Sequence, residues 1–373
     1  MDCNEKNDIR ISDETLTRVL SAALNENIIR ADYKTERLQG GTIGDVRLVT
    51  GTAVTAGGTC LPYKLIYKTH KIWIRFGDPD SWRREYDLYT SDFTKIFTES
   101  FRWPKCYHTE IDGEEFRIWM EYIDGVSGGG LSVSMLEQAA AELGRFQGRI
   151  YSQPELLRNV RCLGDVDFMK NNFNEWHTQT FTYDFLISEE CRMPEHIKQM
   201  YRDNKKIIRH DKTVEYNCLR FPECDLPVHL KQMLTDADES SEKFFNEVKR
   251  LPVVLCHRDF WIENIFMSDG KCILIDWDTT GWGYLFEDIA CLIFDETDTE
   301  CIDEYYRKLV PAYLSGLSEY FDVSSIKNFF IREMILIKFG YRILQYYMFE
   351  TSPDVKNEQI AALQKVYEMK SSK

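Results

Sequence analysis

Apolar and polar positions follow two different patterns along the chain, and the first is dominated by short β-prone runs. The first 30 or so residues predict one helix, capped by Ser12, with its apolar side chains on one face. Residues 36–74 then carry short runs broken by glycine and threonine turns, which indicate an antiparallel sheet. A helix over residues 82–89 and a hairpin over residues 111–122 complete this β-rich part.

The second pattern is mainly helical and begins after a loop, residues 124–130, that contains four glycines. We place a lobe boundary at this loop, which gives an N-terminal lobe, residues 1–123, and a larger C-terminal lobe, residues 124–373. Helical periodicity covers residues 132–150, an insert of about 165–250 and roughly four segments after residue 286, with short strands over 253–275. The sequence therefore predicts an α+β fold with a β-rich N-lobe, a helical C-lobe and a ligand in the cleft between them.

Composition excludes several classes of protein. With 43% hydrophobic residues the chain can bury a large core, which excludes wholesale disorder. A net charge of −15 repels phosphate backbones, so we expect no nucleic-acid partner and favour a small cation. Every long apolar stretch is interrupted by charge, so we expect no membrane span. Residues 331–349, for example, contain Arg332, Glu333, Lys338 and Arg342.

Cysteine usage and the N-terminus predict a cytoplasmic location. None of the 11 cysteines has C-x-x-C spacing, and several lie in apolar runs, which is typical of reduced core residues. The N-terminal residues are polar and acidic, so we expect no secretory signal. No obligate protein partner is evident.

The most informative stretch is residues 255–278, where His257-Arg258-Asp259 is followed by Asn264 and by a hairpin ending in Asp276. A hairpin brings its two ends together, so Asn264 and Asp276 can each supply an oxygen to a hard divalent ion. Asp259 can then reach a hydroxyl in front of that ion. Phosphoryl transfer needs little more than a metal, a positioned hydroxyl and a carboxylate. The alternative is a surface hairpin with a capping Asp and a turn Asn.

The N-terminal lobe contains a set of candidate nucleotide contacts. The glycine turn at Gly41, Thr42 and Gly44 can approach phosphates with its N–H groups, or can be a plain β-turn. Lys68 ends a strand that has Ile66 on the same face. In this arrangement the lysine can bind the phosphates of a nucleotide while Ile66 contacts its base. The alternative is a solvated edge lysine, and Lys64 and Lys71 compete for the role. Glu85, on the following helix, could pair with Lys68.

The order of these features resembles the protein-kinase-like fold, and within it the aminoglycoside phosphotransferase and choline kinase family of small-molecule kinases. The resemblance covers about residues 38–290. It is carried by LQGGTIGDVRLV, LIYK, RREYDLY, FRIWMEYIDG, AAELGRFQG, VLCHRDFWIENIF and CILIDWDTTGWGYLFEDIA.

This resemblance implies that the N-terminal lobe binds the nucleotide, that the C-terminal lobe is catalytic and binds the acceptor, and that ATP (or GTP) and Mg²⁺ are the cofactors. It implies that Asp259 is the catalytic carboxylate, that Asn264 and Asp276 are magnesium ligands, and that Lys68 and Glu85 form the phosphate-binding ion pair. Residues 120–123 resemble the hinge: Met120 lies there, and the backbone of Glu121 and Ile123 would bond the adenine edge. His257 and Asp288 would support the site structurally. Two departures are Arg258, where the family usually has Gly, and Gln147, where it usually has His.

The sequence therefore predicts an ATP-dependent kinase acting on a hydroxyl of a small, amine-bearing molecule that is aminoglycoside-like, choline-like or a sugar. Residues 287–304 hold eight acids and no Lys or Arg, which either attract an amine or form an ordinary acidic helix end. Trp261, Asp278 and Trp282 are candidate acceptor contacts, the tryptophans through cation–π interaction.

Two alternative functions stay open at this point. A protein or peptide kinase would show Asp-Phe-Gly and a long segment ending in Ala-Pro-Glu, and neither occurs here. A non-catalytic nucleotide-binding protein of the same fold would have lost one of Lys68, Asp259, Asn264 and Asp276.

Overall fold

The computed structural model describes residues 9–38, 44–178, 180–191, 193, 195–203, 211–215, 224–349 and 352–369. The chain divides into two compact units. The first comprises Met1–Ile72 and Trp103–Asp124, and the second comprises Trp73–Arg102 and Gly125–Lys373. Residues 73–102, which the sequence places in the first lobe, count with the second unit in this division, and the boundary after residue 123 stays a prediction.

Within the described residues the α-helices occupy both units, most of them in the second. They are α1 (Asp13–Leu24), α2 (Arg84–Tyr89), α3 (Val133–Ser152), α4 (Phe168–Thr178), α5 (Tyr183–Leu186), α6 (Glu195–Asp203), α7 (Val228–Glu239), α8 (Ser241–Val248), α9 (Glu287–Phe294), α10 (Ile302–Ser318), α11 (Ile331–Phe349) and α12 (Pro353–Glu368).

The strands of the first unit are β1 (Ile28–Ala31), β2 (Lys34–Arg37), β3 (Asp45–Thr55), β4 (Cys60–Lys71), β6 (Cys106–Asp112) and β7 (Glu115–Glu121). Those of the second are β5 (Phe101–Arg102), β8 (Val126–Ser127), β9 (Thr180–Thr182), β10 (Thr213–Glu215), β11 (Val253–Cys256), β12 (Ile265–Ser268), β13 (Lys271–Leu274) and β14 (Gly281–Tyr284). This distribution confirms the predicted α+β fold, with a β-rich first part and a mainly helical remainder.

The first unit is one antiparallel sheet with a helix packed on it. The sheet has the order β1-β3-β4-β7-β6, and β2 pairs with β3. Helix α1 begins where the Ser12 hydroxyl accepts a hydrogen bond from the Thr15 N–H, as a cap requires. Its buried side chains, Leu16 among them, join a core with sheet residues such as Val49 and Trp119. The predicted helix and hairpin of this unit are therefore present.

The second unit carries small sheets among its helices. The four-stranded sheet has the order β5-β13-β12-β8, and β11 pairs with β14. Strands β12 and β13 are joined by Asp269 and Gly270, whose φ angles are 50° and 73°. Two successive positive φ angles make the tight turn that matches the twist of a hairpin, so Asn264 and Asp276 lie at the open end of this hairpin.

An aromatic cluster fixes the base of the hairpin. The fully buried Trp277 packs edge-to-face against His257, Phe93 and Phe97, with ring centroids 4.7, 5.5 and 5.1 Å away. Trp277 is thus a core residue. The nine cysteines in the described ranges are free thiols. None of the helices in the described part of the chain is both long and apolar enough to cross a membrane.

Candidate active site

His257 begins the loop that follows β11, and its ring orientation is fixed by two hydrogen bonds. Nε2 donates to the carbonyl of Ile275 at 2.9 Å, and Nδ1 accepts from the N–H of Asp259 at 3.3 Å. These partners require the neutral imidazole with its proton on Nε2. Burial lowers the pKa of His257, in agreement with a neutral ring. His257 therefore ties the Asp259 loop to the end of the hairpin.

Asp288, in the first turn of α9, holds the same loop from the other side. Its carboxylate accepts the N–H of His257 at 2.8 Å and the N–H of Arg258 at 2.6 Å. Gln147 holds Asp288 in turn, because its Nε2 donates to the Asp288 carboxylate at 2.9 Å and to the carbonyl of Leu255 at 3.1 Å. Burial raises the pKa of Asp288, and the backbone hydrogen bonds oppose that rise.

Arg258 has the left-handed φ of 69° and a guanidinium that is almost fully buried. The guanidinium donates to the carbonyls of Asp165 and Trp282 and lies 4.5 Å from the centre of the Phe168 ring. It therefore links the start of the helical insert to the loop that carries Asp259. A Cβ on Gly164 would come within 2.5 Å of its Nη1, so glycine is needed at that position.

Asp259 and Asn264 are directly hydrogen-bonded. The Nδ2 group of Asn264 donates to Oδ2 of Asp259 at 2.9 Å and to the Asp259 carbonyl at 2.9 Å. Among the described residues, no hydrogen bond is formed to Oδ1 of either side chain. One oxygen of each therefore stays available to a ligand.

The hairpin brings Asp276 next to Asn264. The N–H of Ile275 donates to the carbonyl of Asn264 at 3.0 Å, and Asp276 follows with a left-handed φ of 60°. The carboxylate and the amide carbonyl are oxygen donors of the kind that a hard divalent ion prefers, so they fit Mg²⁺. In the described ranges, this site included, no group of three or more His, Cys, Asp and Glu side chains is arranged to hold a metal.

Asp259 is weakly acidic for an aspartate because the protein encloses most of it. Burial raises its pKa to about 6, and the nearby ammonium of Lys338 opposes that rise. Asp259 is then mostly ionised at neutral pH and able to accept a proton.

A cavity of about 170 Å³, open to solvent, lies beside Asp259 within the second unit. Its lining includes Asp259, Glu287 and Asp295 together with Arg75, Lys338 and Arg342. Neither Asn264 nor Asp276 lines it, so the cavity extends from Asp259 away from the candidate metal ligands.

The candidate nucleotide residues of the first unit share one face of the sheet. Ile66 lies opposite Met120 and Lys68 opposite Ile118 in the β4–β7 register. Lys68 is 5% exposed, which excludes the solvated edge lysine considered above. Gly44 packs so closely against the His70 ring that a Cβ would come within 2.2 Å of it. Gly41 and Thr42 lie outside the described residues.

The hinge candidates lie at the end of β7. The N–H of Glu121 donates to the carbonyl of Lys105 at 2.9 Å, so this donor is engaged within the sheet. Ile123 is buried. Glu85 is also buried, in α2 of the second unit, and its pairing with Lys68 stays a prediction.

Trp261, Asp278 and Trp282 do not line the cavity. Asp278 accepts a hydrogen bond at 3.0 Å from Arg75, which does line the cavity, so Asp278 contributes by positioning Arg75. Several acids of residues 287–304, the acidic segment, form ion pairs within the protein. Asp295 pairs with Arg342, Asp303 with Lys365 and Glu304 with Lys308.

Sequence reasoning missed the basic residues of the cavity, Arg75, Lys338 and Arg342. The signal was present for two of them. Lys338 and Arg342 lie in a mainly apolar helix at a spacing of four, which places both on one face of α11.

Residues 92–320 match the model of the phosphotransferase enzyme family, APH. The match spans more than half of the chain and includes every candidate residue of the second unit except Glu85. The chain belongs to this family. Membership confirms the family resemblance found in the sequence. No curated protein matches the chain.

Several solved structures are similar to this family member. They include an amicoumacin kinase (11% identity, TM-score 0.45, 90% of this chain and 89% of that chain) and a microcompartment-associated aminopropanol kinase (12%, 0.46, 94% and 95%). A choline kinase from Cryptosporidium parvum Iowa II is similar at 12% identity, with a TM-score of 0.47 over 90% of this chain and 87% of that chain.

Proposed function

We propose that this protein is a small-molecule kinase, which transfers the γ-phosphate of ATP to a hydroxyl group of an acceptor bound beside Asp259. Membership in a phosphotransferase family supports the reaction class. The observation that carries the proposal is the hydrogen bond between Asn264 and Asp259 at the open end of a hairpin that also ends in Asp276. A carboxylate and two oxygen ligands in this arrangement match the needs of phosphoryl transfer.

Asp259 is the group that receives the acceptor proton in this mechanism. Asn264 holds Oδ2 of Asp259, so Oδ1 is directed to the acceptor hydroxyl and accepts its proton late in the transfer. His257 and Asp288 keep the loop rigid, which fixes the distance between carboxylate and hydroxyl. The contribution of the protein is then mainly alignment and charge placement.

Asn264 and Asp276 would hold Mg²⁺ through Oδ1 and a carboxylate oxygen. A bound Mg²⁺ would supply charge neutralisation on the phosphate groups. Lys68 would bind phosphate and Ile66 and Met120 would contact the base, as the shared face of β4 and β7 allows.

A small acceptor is supported over a protein substrate. Between Asp276 and the start of α9 the chain forms only one 3₁₀ turn and the strand β14, so no long activation segment follows the metal ligand. The cavity beside Asp259 combines apolar side chains with a few charged groups, as small-molecule sites do. An amine on the acceptor stays a prediction from the acidic segment.

The test is an ADP-release assay with purified protein, ATP and Mg²⁺ over a panel of hydroxylated acids, amines, sugars and aminoglycosides. We expect acceptor-dependent turnover that Asp259→Asn lowers by roughly a hundredfold to ten-thousandfold, with ATP affinity retained. The matched control is Asp269→Asn in the hairpin turn, where Asn tolerates the positive φ. Equal activity of the Asp259→Asn and Asp269→Asn variants would exclude the proposed role of Asp259.

A further inference from the structure

Four cationic side chains line the cavity beside Asp259, although the chain has a net charge of −15. Three of them have a carboxylate within 4.0 Å: Arg75 has Asp278, Arg258 has Asp78, and Arg342 has Asp295. Lys338 is the exception. In the part of the chain that the structure describes, its ammonium forms no ion pair with a carboxylate.

Lys338 is held in place without using all of its donors. Its Nζ donates to the carbonyl of Arg258 and to Sγ of Cys291, the latter at 3.3 Å. An ammonium has three N–H groups, and a thiol is a weak acceptor. Burial lowers the pKa of Lys338, but neighbouring groups, led by Cys291 and Asp295, outweigh that effect and raise it. Lys338 is therefore a charged group with a donor left for a ligand.

A molecule bound at Lys338 would occupy the position expected for the acceptor. The cavity contains Asp259 but neither Asn264 nor Asp276, so a molecule that fills it lies on the acceptor side of Asp259. Lys338 also bonds the carbonyl of the residue directly before Asp259, which fixes the ammonium relative to the carboxylate. A hydroxyl at Asp259 and an anionic group at Lys338 can therefore belong to one small molecule.

We propose that Lys338 binds a carboxylate that the acceptor carries near its reactive hydroxyl, so that the preferred acceptors are hydroxylated carboxylic acids. This inference rests on the proposed function and refines it. Acids near Lys338 act on it electrostatically, but none of those in the described residues forms an ion pair with it. Burial of an ammonium that has no carboxylate in direct contact is costly, and a substrate carboxylate supplies that contact through a charge-assisted hydrogen bond. Arg75 and Arg342 are already neutralised by their own carboxylates, so the selective contribution comes from Lys338.

The test uses acceptors matched in carbon skeleton: glycerate, glycerol and serinol, and gluconate, glucose and glucosamine. Their binding to the full chain is measured by isothermal titration calorimetry, and their turnover by ADP release. We expect the acid to bind best in each set. Lys338→Met should reduce the preference for the acid over its neutral partner roughly tenfold to hundredfold, and Lys338→Arg should retain most of it.

Two controls keep the result interpretable. Lys308→Met removes an exposed lysine of α10 that, among the described residues, forms an ion pair only with Glu304, and should keep the wild-type preference. The thermal midpoint of each variant shows whether it is folded. If Lys338→Met has lost its fold, the inference is tested by the wild type and by Lys338→Arg. Both should bind the acid best in each matched set, and the absence of that preference in the wild type would overturn the inference.

The outcomes separate the two proposals. Acid binding that depends on Lys338 without turnover supports the inference and contradicts the proposed function. Turnover with a preference for amines or neutral polyols supports the proposed function and overturns the inference. A Lys338→Met variant that weakens all three members of a set equally also overturns it, because Lys338 would then act only through the Arg258 carbonyl. Failure of every acceptor to bind overturns it as well.

Discussion

The side-chain amide of Asn264 donates to the carboxylate of Asp259 at 2.9 Å, so the groups proposed for metal binding and proton acceptance share one hydrogen bond. Because Nδ2 of Asn264 faces Asp259, its Oδ1 is turned to the opposite side. A substitution at position 264 is therefore expected to change both metal binding and the orientation of the carboxylate.

Asn264→Ala should lower turnover by roughly a hundredfold and raise the Mg²⁺ concentration needed for half-maximal rate, because an oxygen ligand and the support of Asp259 are lost together. Steady-state kinetics over a Mg²⁺ series measures both effects. Asn159→Ala, at an exposed position, is the control. A normal Mg²⁺ dependence in Asn264→Ala would show that position 264 does not bind the metal.

Gly164→Ala should destabilise the fold by about 1–3 kcal/mol through overpacking. The new Cβ would lie 2.5 Å from Nη1 of Arg258, whose guanidinium is held by two carbonyls and cannot easily move. In an Arg258→Gly background the same substitution should cost much less. Urea unfolding of the four proteins in this cycle measures the coupling.

The control for that cycle is Gly129→Ala, where a Cβ would have no neighbour within 4 Å. It should change stability by less than about 0.5 kcal/mol. Additive effects of Gly164→Ala and Arg258→Gly on the free energy of unfolding would show that the new Cβ does not clash with the Arg258 guanidinium.

Asp288→Ala should destabilise the protein by at least about 3 kcal/mol, because three buried donors lose their acceptor at once. These donors are the N–H groups of His257 and Arg258 and the Gln147 amide. Asp288→Asn keeps one acceptor oxygen and should be less severe. Chemical unfolding measures both, with Asp112→Ala at an exposed position as the control. A loss of stability in Asp288→Ala no larger than that of the control would show that the hydrogen bonds to Asp288 do not stabilise the loop.

Glu287 should make stability depend on pH. Burial raises its pKa to about 7 from an ordinary value of 4.5, and its carboxylate accepts the N–H of Tyr284. Between these values the folded protein binds a proton that the unfolded chain releases, so the stability contributed by Glu287 is complete below pH 4.5 and is lost as pH rises to 7. The loss should be about 3 kcal/mol.

The measurement is the free energy of unfolding of the wild type and of Glu287→Gln across that pH range. The difference between them isolates Glu287 from other titrating groups, since Gln carries no charge at any pH. Parallel curves for the two proteins would refute the raised pKa.

Local patterns predicted the elements well where one short segment contains all the necessary information. The helix after Ser12 and the hairpin turned at Asp269 and Gly270 each depend on neighbouring residues only, through a cap and through two positive φ angles. The stretch from His257 to Asp276 could also be found, because a hairpin by itself places the residues at its two ends together.

The cavity could not be predicted in this way, because its lining comes from distant segments. Arg75, Asp259 and Lys338 are far apart in sequence and meet only after α11 has packed near the Asp259 loop. Likewise, the pairing of Asp295 with Arg342 shows that acids which look like an attractive surface can be engaged by cations 47 positions away.

The sequence by itself determined the α+β class, the family and the spacing of Asp259, Asn264 and Asp276, because short-range periodicity and turn geometry are properties of consecutive residues. The tertiary structure alone decided which charges are neutralised and which one is left for a ligand. That decision depends on long-range contacts between buried groups, and a carboxylate or an ammonium acquires its partner only when the chain has folded around it.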